Sequence, residues 1–174
     1  RDIPSAKIEL AKQKLLEIVE QGHKVVVFSQ FKTLLMRLHK WVEEQKMYCE
    51  FLHGEILPKE RMKRIDRFQT EEQAGIFLIS LKAGGVGINL TAADYVFHLD
   101  PWWNPAVEAQ ATDRVHRMGQ TNKVMVYKFI SEDTVEEKIQ KLQQAKQTLL
   151  AEMVDIESDG QKRFDMKAIE SLIL

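Results

Sequence analysis

Two arginines three residues apart, Arg114 and Arg117, are the side chains best suited to chemistry on a phosphate. A guanidinium is planar, stays charged at any working pH and pairs bidentately with phosphoryl oxygens. Supplied to a phosphoryl-transfer site, an arginine raises the rate roughly 10³–10⁵-fold. Arginines at this spacing are also common on solvated helix faces, and spacing alone favours that plainer reading. The neighbouring residues shift the balance. Upstream runs a glycine-rich turn from Lys82 to Thr91, with Gly84, Gly85 and Gly87, directly after an apolar segment. Such glycines permit positive φ and close approach of a ligand to backbone N–H groups, which suits a phosphate oxygen. The turn is not a P-loop, since no Gly-Lys-Ser/Thr follows at the required spacing, and it does not match the dinucleotide fingerprint. A tight strand-to-helix connection accounts for it equally well.

Between the turn and the arginines lies the corner Asp100-Pro101-Trp102-Trp103-Asn104-Pro105. Adjacent tryptophans cannot both enter one core from a strand, so one is expected to be exposed or at an interface. Exposed indole can stack or wedge against a nucleic acid, and a partly buried corner is the alternative of equal weight. The five histidines show no metal-ligand spacing. Among them His53 is the best candidate for a functional contact. Trp41 and the seven methionines read most simply as core filler.

These residues need elements to hold them. Residues 5–21 have helical periodicity, with Gly22 as the stop. Residues 24–29 (KVVVFS) form a continuous apolar run, as in a strand buried on both faces. Helical period returns over 31–45, and 48–52 is a second strand candidate. Pro58 suits a helix start, with Met62, Ile65 and Phe68 as its buried stripe. Residues 75–80 and 95–99 make two more strands. Pro105 opens a helix carrying Val107, Ala111 and Val115, and 124–130 alternates as a fifth strand. A long charged helix over 132–154 has Val135, Ile139, Leu142, Leu149 and Leu150 as its stripe. Residues 155–163 read as loop and 164–174 as a short amphipathic piece. Strands of the buried kind alternating with helices predict an α/β fold with a mostly parallel sheet. Functional loops then belong at the carboxyl ends of the strands, and one edge is expected to collect all the unusual chemistry.

At 174 residues the chain fits a single domain. Apolar content of 44% and charged content of 29% are those of a globular protein. The apolar runs fall short of the roughly 18 residues that span a bilayer, and the N-terminus shows no signal-peptide pattern. The absent initiator Met fits a piece of a longer chain. One cysteine, Cys49, excludes an internal disulfide and points to a reducing compartment. A formal net charge of −1 does not advertise a nucleic-acid binder, so any phosphate contacts are local or shared with another domain.

Taken together, VVFSQF (26–31), HGEILPKERMKRIDRF (53–68), LISLKAGGVGINLTAADYVFHLDPWWNP (78–105) and QATDRVHRMGQ (110–120) resemble the second motor lobe of the Swi/Snf-type ATP-dependent DNA translocases, in helicase superfamily two. The similarity covers about residues 5–155, and TVEEKI (134–139) looks like the family's brace helix. The resemblance implies a RecA-like (P-loop NTPase-type) lobe over 1–131, a brace helix over 132–154 and a polar linker with a short amphipathic tail over 155–174. By motif match Arg114 and Arg117 are the expected arginine fingers, and Gln110, Gly85, Gly87 and Asn89 the residues of the nucleotide cleft and its coupling to DNA. Ser29, Gln30, His53, Gly54, Lys82, Ala83 and Trp103 are the expected DNA contacts.

ATP and Mg2+ are the implied cofactors, held mainly by an N-terminal lobe that this sequence lacks. No Walker A lysine and no Asp-Glu-x-His segment occurs in it, so the fragment alone is expected to be inactive. Implied partners are double-stranded DNA, that N-terminal lobe, and a DNA-bound protein such as a nucleosome or RNA polymerase, with no membrane. The expected location is cytoplasm and nucleoid in a bacterium, the nucleus in a eukaryote. Two other readings stand beside this one: a non-catalytic DNA- or partner-binding lobe of a degenerate helicase, and a strand-separating helicase.

Overall fold

Val25 to Ser29 illustrates how the sequence builds the centre of the molecule. Every residue of this strand (β1) is buried, Val25 and Val27 towards one face and Val26 and Phe28 towards the other. Only a strand covered on both sides has no polar face. The computed structural model describes residues 6–80, 89–101, 105–115, 123–130 and 135–159. Among them, β1 is flanked by β3 (Gly75–Ser80) and β4 (Tyr95–His98), with β2 (Tyr48–Leu52) and β5 (Met125–Lys128) at the edges. The order is β2-β3-β1-β4-β5, and all four pairings are parallel.

Helices α1 (Ala6–Glu20) and α2 (Lys32–Glu44) cover one face, where Leu15, Leu35 and Leu38 meet Val27, Leu78 and Phe97. Helices α3 (Pro58–Thr70) and α4 (Pro105–Asp113) cover the other, where Ile65, Phe68 and Ala111 meet Val26, Phe77 and Ile79. Each large apolar side chain so buried contributes about 1.5–3 kcal/mol. Helix α1 stops at Gly22, whose φ of 88° lets its N–H reach the Val19 carbonyl at 3.0 Å. Lys46, at φ 58°, ends α2 in the same manner without being glycine.

Several expectations need correction. Met36, Met62 and Met125 are 52%, 54% and 48% exposed, so they are not core filler. Met62 lies off the Ile65–Phe68 stripe because α3 buries only a narrow face. Strand β5 is an edge with mostly exposed side chains. The long helix α5 (Val135–Asp159) continues past residue 154, since 155–159 contain no helix breaker and Gly160 comes only afterwards. It is anchored through polar Gln143, 5% exposed, whereas Leu150 of the expected apolar stripe is half exposed. Among the described residues no helix is long and apolar enough to cross a membrane.

Candidate functional site

At the carboxyl ends of β1, β2 and β3 the chain forms a groove of about 660 Å³ lined by Gln30, Phe31, Lys32, Arg37, His53 and Gly54, among others. Its floor is polar and internally bonded. Ser29 is fully buried, donates its hydroxyl to Asp100 and accepts the Phe31 N–H at 3.0 Å. Ser29 therefore supports the rim from below, while the half-buried Gln30 and the exposed Phe31 form its surface. The His53 Nδ1 accepts the Glu55 N–H at 3.3 Å, which leaves Nε2–H as a donor. Partial burial, with Lys32 adding to it, pulls the His53 pKa below the usual imidazole value, so the ring is neutral at pH 7. Lys32 pairs with Glu55 at 2.9 Å across the groove.

Two glycines, Gly75 at the amino end of β3 and Gly54 at the rim, differ in origin. A Cβ on Gly75 would lie 2.4 Å from a Tyr48 ring carbon, so packing demands glycine there. A Cβ on Gly54 would meet nothing within 4 Å, and its φ lies outside the left-handed region. The fold itself does not require glycine at 54, which fits a rim where another molecule comes close to the backbone.

Arg114 lies at the other end of the sheet. Its carbonyl accepts the Leu90 N–H at 2.9 Å. Leu90 belongs to the segment leading into the amino end of β4: Ala92 N–H bonds Gln69 Oε1 at 2.8 Å, and Asp94 N–H bonds the Lys24 carbonyl at 3.1 Å. The exit of the glycine-rich turn and the arginine segment are thus clasped by main chain, with Val115 fully buried beside them. The Arg114 side chain is half-buried, and among the described residues no carboxylate pairs with it. Asn89 is exposed, and its Oδ1 accepts the Thr91 N–H at 3.3 Å. Gln110 is exposed on α4. The expectation that one edge gathers all the unusual residues is not met, because α4 runs back along the sheet and carries Arg114 away from the rim. Lys82, Ala83, Gly85, Gly87, Trp103 and Arg117 lie outside the described residues.

Residues 6–119 match the helicase conserved C-terminal domain family. The chain belongs to that family, as a Swi/Snf-type second lobe. The lobe is 43% identical over 147 residues to an uncharacterized ATP-dependent helicase of Mycoplasma pneumoniae, covering 84% of this chain and 14% of that protein. It is 41% identical over 157 residues to the DNA repair protein RAD5 of Candida glabrata, covering 87% of this chain and 14% of the relative. The lobe therefore spans about a seventh of the length of these curated relatives. Among solved structures it is similar to the C-terminal part of the Fun30 ATPase domain, with a TM-score of 0.73, 37% identity and coverage of 79% of this chain and 45% of that one. It is also similar to the Sulfolobus solfataricus SWI2/SNF2 ATPase core in complex with dsDNA, with a TM-score of 0.70, 38% identity and coverage of 90% and 32%. The five parallel strands and flanking helices are the RecA-like arrangement of such lobes.

A polar node in this Swi/Snf-type lobe ties β4 and β5 to α4 and α5, and no local pattern announces it. His98 is 1% exposed, stacks on Phe28 with ring centres 5.5 Å apart, and its Nε2 meets Thr112 Oγ1 of α4 at 3.1 Å. Burial pushes the His98 pKa down to about 4, against the opposing pull of Glu108, so the imidazole is neutral. Glu108, 4% exposed, accepts Gln143 Nε2 of α5 at 3.0 Å and pairs with Lys128 at 3.2 Å. Helix α5 is thereby bonded to the helix that leads to Arg114. Glutamate and glutamine on charged helices look like solvated residues, and only their pairing in space marks them out.

Proposed function

We propose that the chain is the C-terminal motor lobe of an ATP-dependent translocase on double-stranded DNA, of the kind that remodels chromatin or other protein–DNA complexes. The observation that carries this reading is Arg114: held by main chain, half-buried, and unclaimed by any described carboxylate. A guanidinium so placed suits a phosphate supplied by another body. Arg114 and Arg117 would reach across a seam to ATP and Mg2+ held on an N-terminal lobe, offering positive charge where it develops on the transferred phosphoryl group. Gln110 and Asn89 lie near that seam, with Gly85 and Gly87 in the same motif by sequence. ATP supplies the phosphoryl transfer whose free energy closes and reopens the two lobes. The fragment by itself has no phosphate-gripping lysine and does not turn over ATP on this reading.

The rim at the opposite end would follow one strand's phosphates, with Gln30, His53 and Gly54 as contacts and Lys82, Ala83 and Trp103 beside them by motif. Ser29 acts from beneath. Such contacts are to backbone, so sequence preference is weak and salt dependence strong. Helix α5, bonded to Glu108, would serve as the brace. The RAD5 and SWI2/SNF2 relatives support this reading, the latter by its complex with dsDNA. In the full-length protein Arg117→Ala should lower DNA-stimulated ATPase by roughly 10³-fold or more while ATP still binds. Unchanged turnover would remove the finger assignment.

A further inference from the structure

A single carboxylate, unused by the chemistry above, joins the exits of two strands. The β1–β4 ladder makes its last main-chain bond from Leu99 N–H to the Phe28 carbonyl, at 3.0 Å. One step further on, side chains take over. Asp100, 1% exposed, accepts the Ser29 hydroxyl on Oδ1 and the Gln30 N–H on Oδ2, the latter at 3.0 Å. Gln30 Nε2 in turn donates to the Pro101 carbonyl at 3.3 Å. After β1 the chain turns towards β2, and after β4 towards β5, on the other side of the sheet. This divergence is the crevice where open α/β sheets receive ligands. Here the Asp100 carboxylate fills it.

A buried carboxylate is stable only while its oxygens are hydrogen-bonded. These two donors come from the opposite strand exit, so separating the two exits would cost the carboxylate both of them. We propose that Asp100 is a positioning residue for DNA: it locks the Ser29–Gln30–Phe31 exit to the chain leaving β4, and so sets Gln30 at the rim in its binding geometry. The proposal rests on the reading that this rim receives DNA.

The test is a double-mutant cycle in the full-length protein with Asp100→Asn, Gln30→Ala and the pair, measuring the DNA concentration for half-maximal ATPase. Each single change should raise that concentration about fivefold to tenfold, and the pair little more than the larger single effect, because Gln30 binds well only when locked. Most of the change should fall on DNA dependence rather than on turnover at saturating DNA. Hydrogen exchange without DNA should speed up at Gln30 and Phe31 in Asp100→Asn, with α1 and β3 as protected as before. Multiplied effects in the pair, wild-type DNA dependence in Asp100→Asn, or faster exchange across the whole lobe would each overturn positioning. Should Asp100→Asn fail to fold, Ser29→Ala removes one donor of the lock; a smaller shift in the same direction supports the lock, and no shift defeats it. A wild-type protein whose ATPase ignores DNA would defeat the rim reading itself, and this proposal with it.

Discussion

The carboxyl rim and the Leu90–Arg114 clasp are built on opposite rules. At the rim, side chains hold side chains and backbone: Asp100 to Ser29 and Gln30, His53 to Glu55, Lys32 to Glu55. At the clasp, main chain holds main chain, and the charged side chain is left over. A surface that tracks a long polyanion gains from several adaptable donors around a groove. A group that meets one phosphate at one moment gains from a fixed backbone and an unspent charge. The two regions sit at opposite ends of one sheet, so on the proposed reading each would meet a different partner.

If rim and clasp do separate work, damage to each should show in a different kinetic parameter. The largest contrast is expected from Arg114→Ala in the full-length protein. Turnover at saturating DNA should fall by about 10³-fold, with the half-saturating DNA concentration changed by less than about twofold. Steady-state ATPase over a DNA titration checks this, and a loss confined to DNA affinity would merge the clasp with the rim.

His98 lies between the two regions, touching both Phe28 beneath the rim and Thr112 on α4. In the folded lobe its pKa lies at about 4, whereas the unfolded chain titrates near the ordinary 6.5. The unfolded state thus takes up the proton first. The stabilisation is complete above pH 6.5 and is lost as pH falls towards 4, by roughly 3 kcal/mol in all. Urea unfolding between pH 7 and 4 should show that slope, and His98→Gln should flatten it. An unchanged slope in the variant would place the acid sensitivity elsewhere.

The smallest expected effect belongs to Gly54→Ala. Since a Cβ there meets nothing within 4 Å, folding stability should stay within about 0.5 kcal/mol of wild type. The half-saturating DNA concentration should nonetheless rise about threefold to fivefold if the phosphate backbone comes close to residue 54. Equal DNA dependence would show that the rim is not approached there.

Much of this molecule is written in local order. The apolar runs 24–29 and 75–80 announce doubly covered strands, Gly22 announces a helix end, and QATDRVHRMGQ announces the family, because each signal is carried by neighbours in sequence. Periodicity did less well where burial is narrow or polar. Met62 keeps the helical spacing of a core residue yet faces water, and α5 docks through Gln143 rather than through Leu150. The same limit applies to the candidate site. Arginines, glycines and the acidic corner can be picked out by type, but which end of the sheet each occupies depends on the direction in which α4 returns.

The parallel α/β class and the lobe's kinship are legible in the chain, since both follow from patterns a few residues long. That Asp100 bridges the β1 and β4 exits, that Glu108 ties α5 to α4, and that Arg114 stands apart from the rim emerges only in the folded lobe. Those contacts join residues 71, 70, 35 and 24 positions apart, and partners so distant are chosen by packing, which no local pattern encodes.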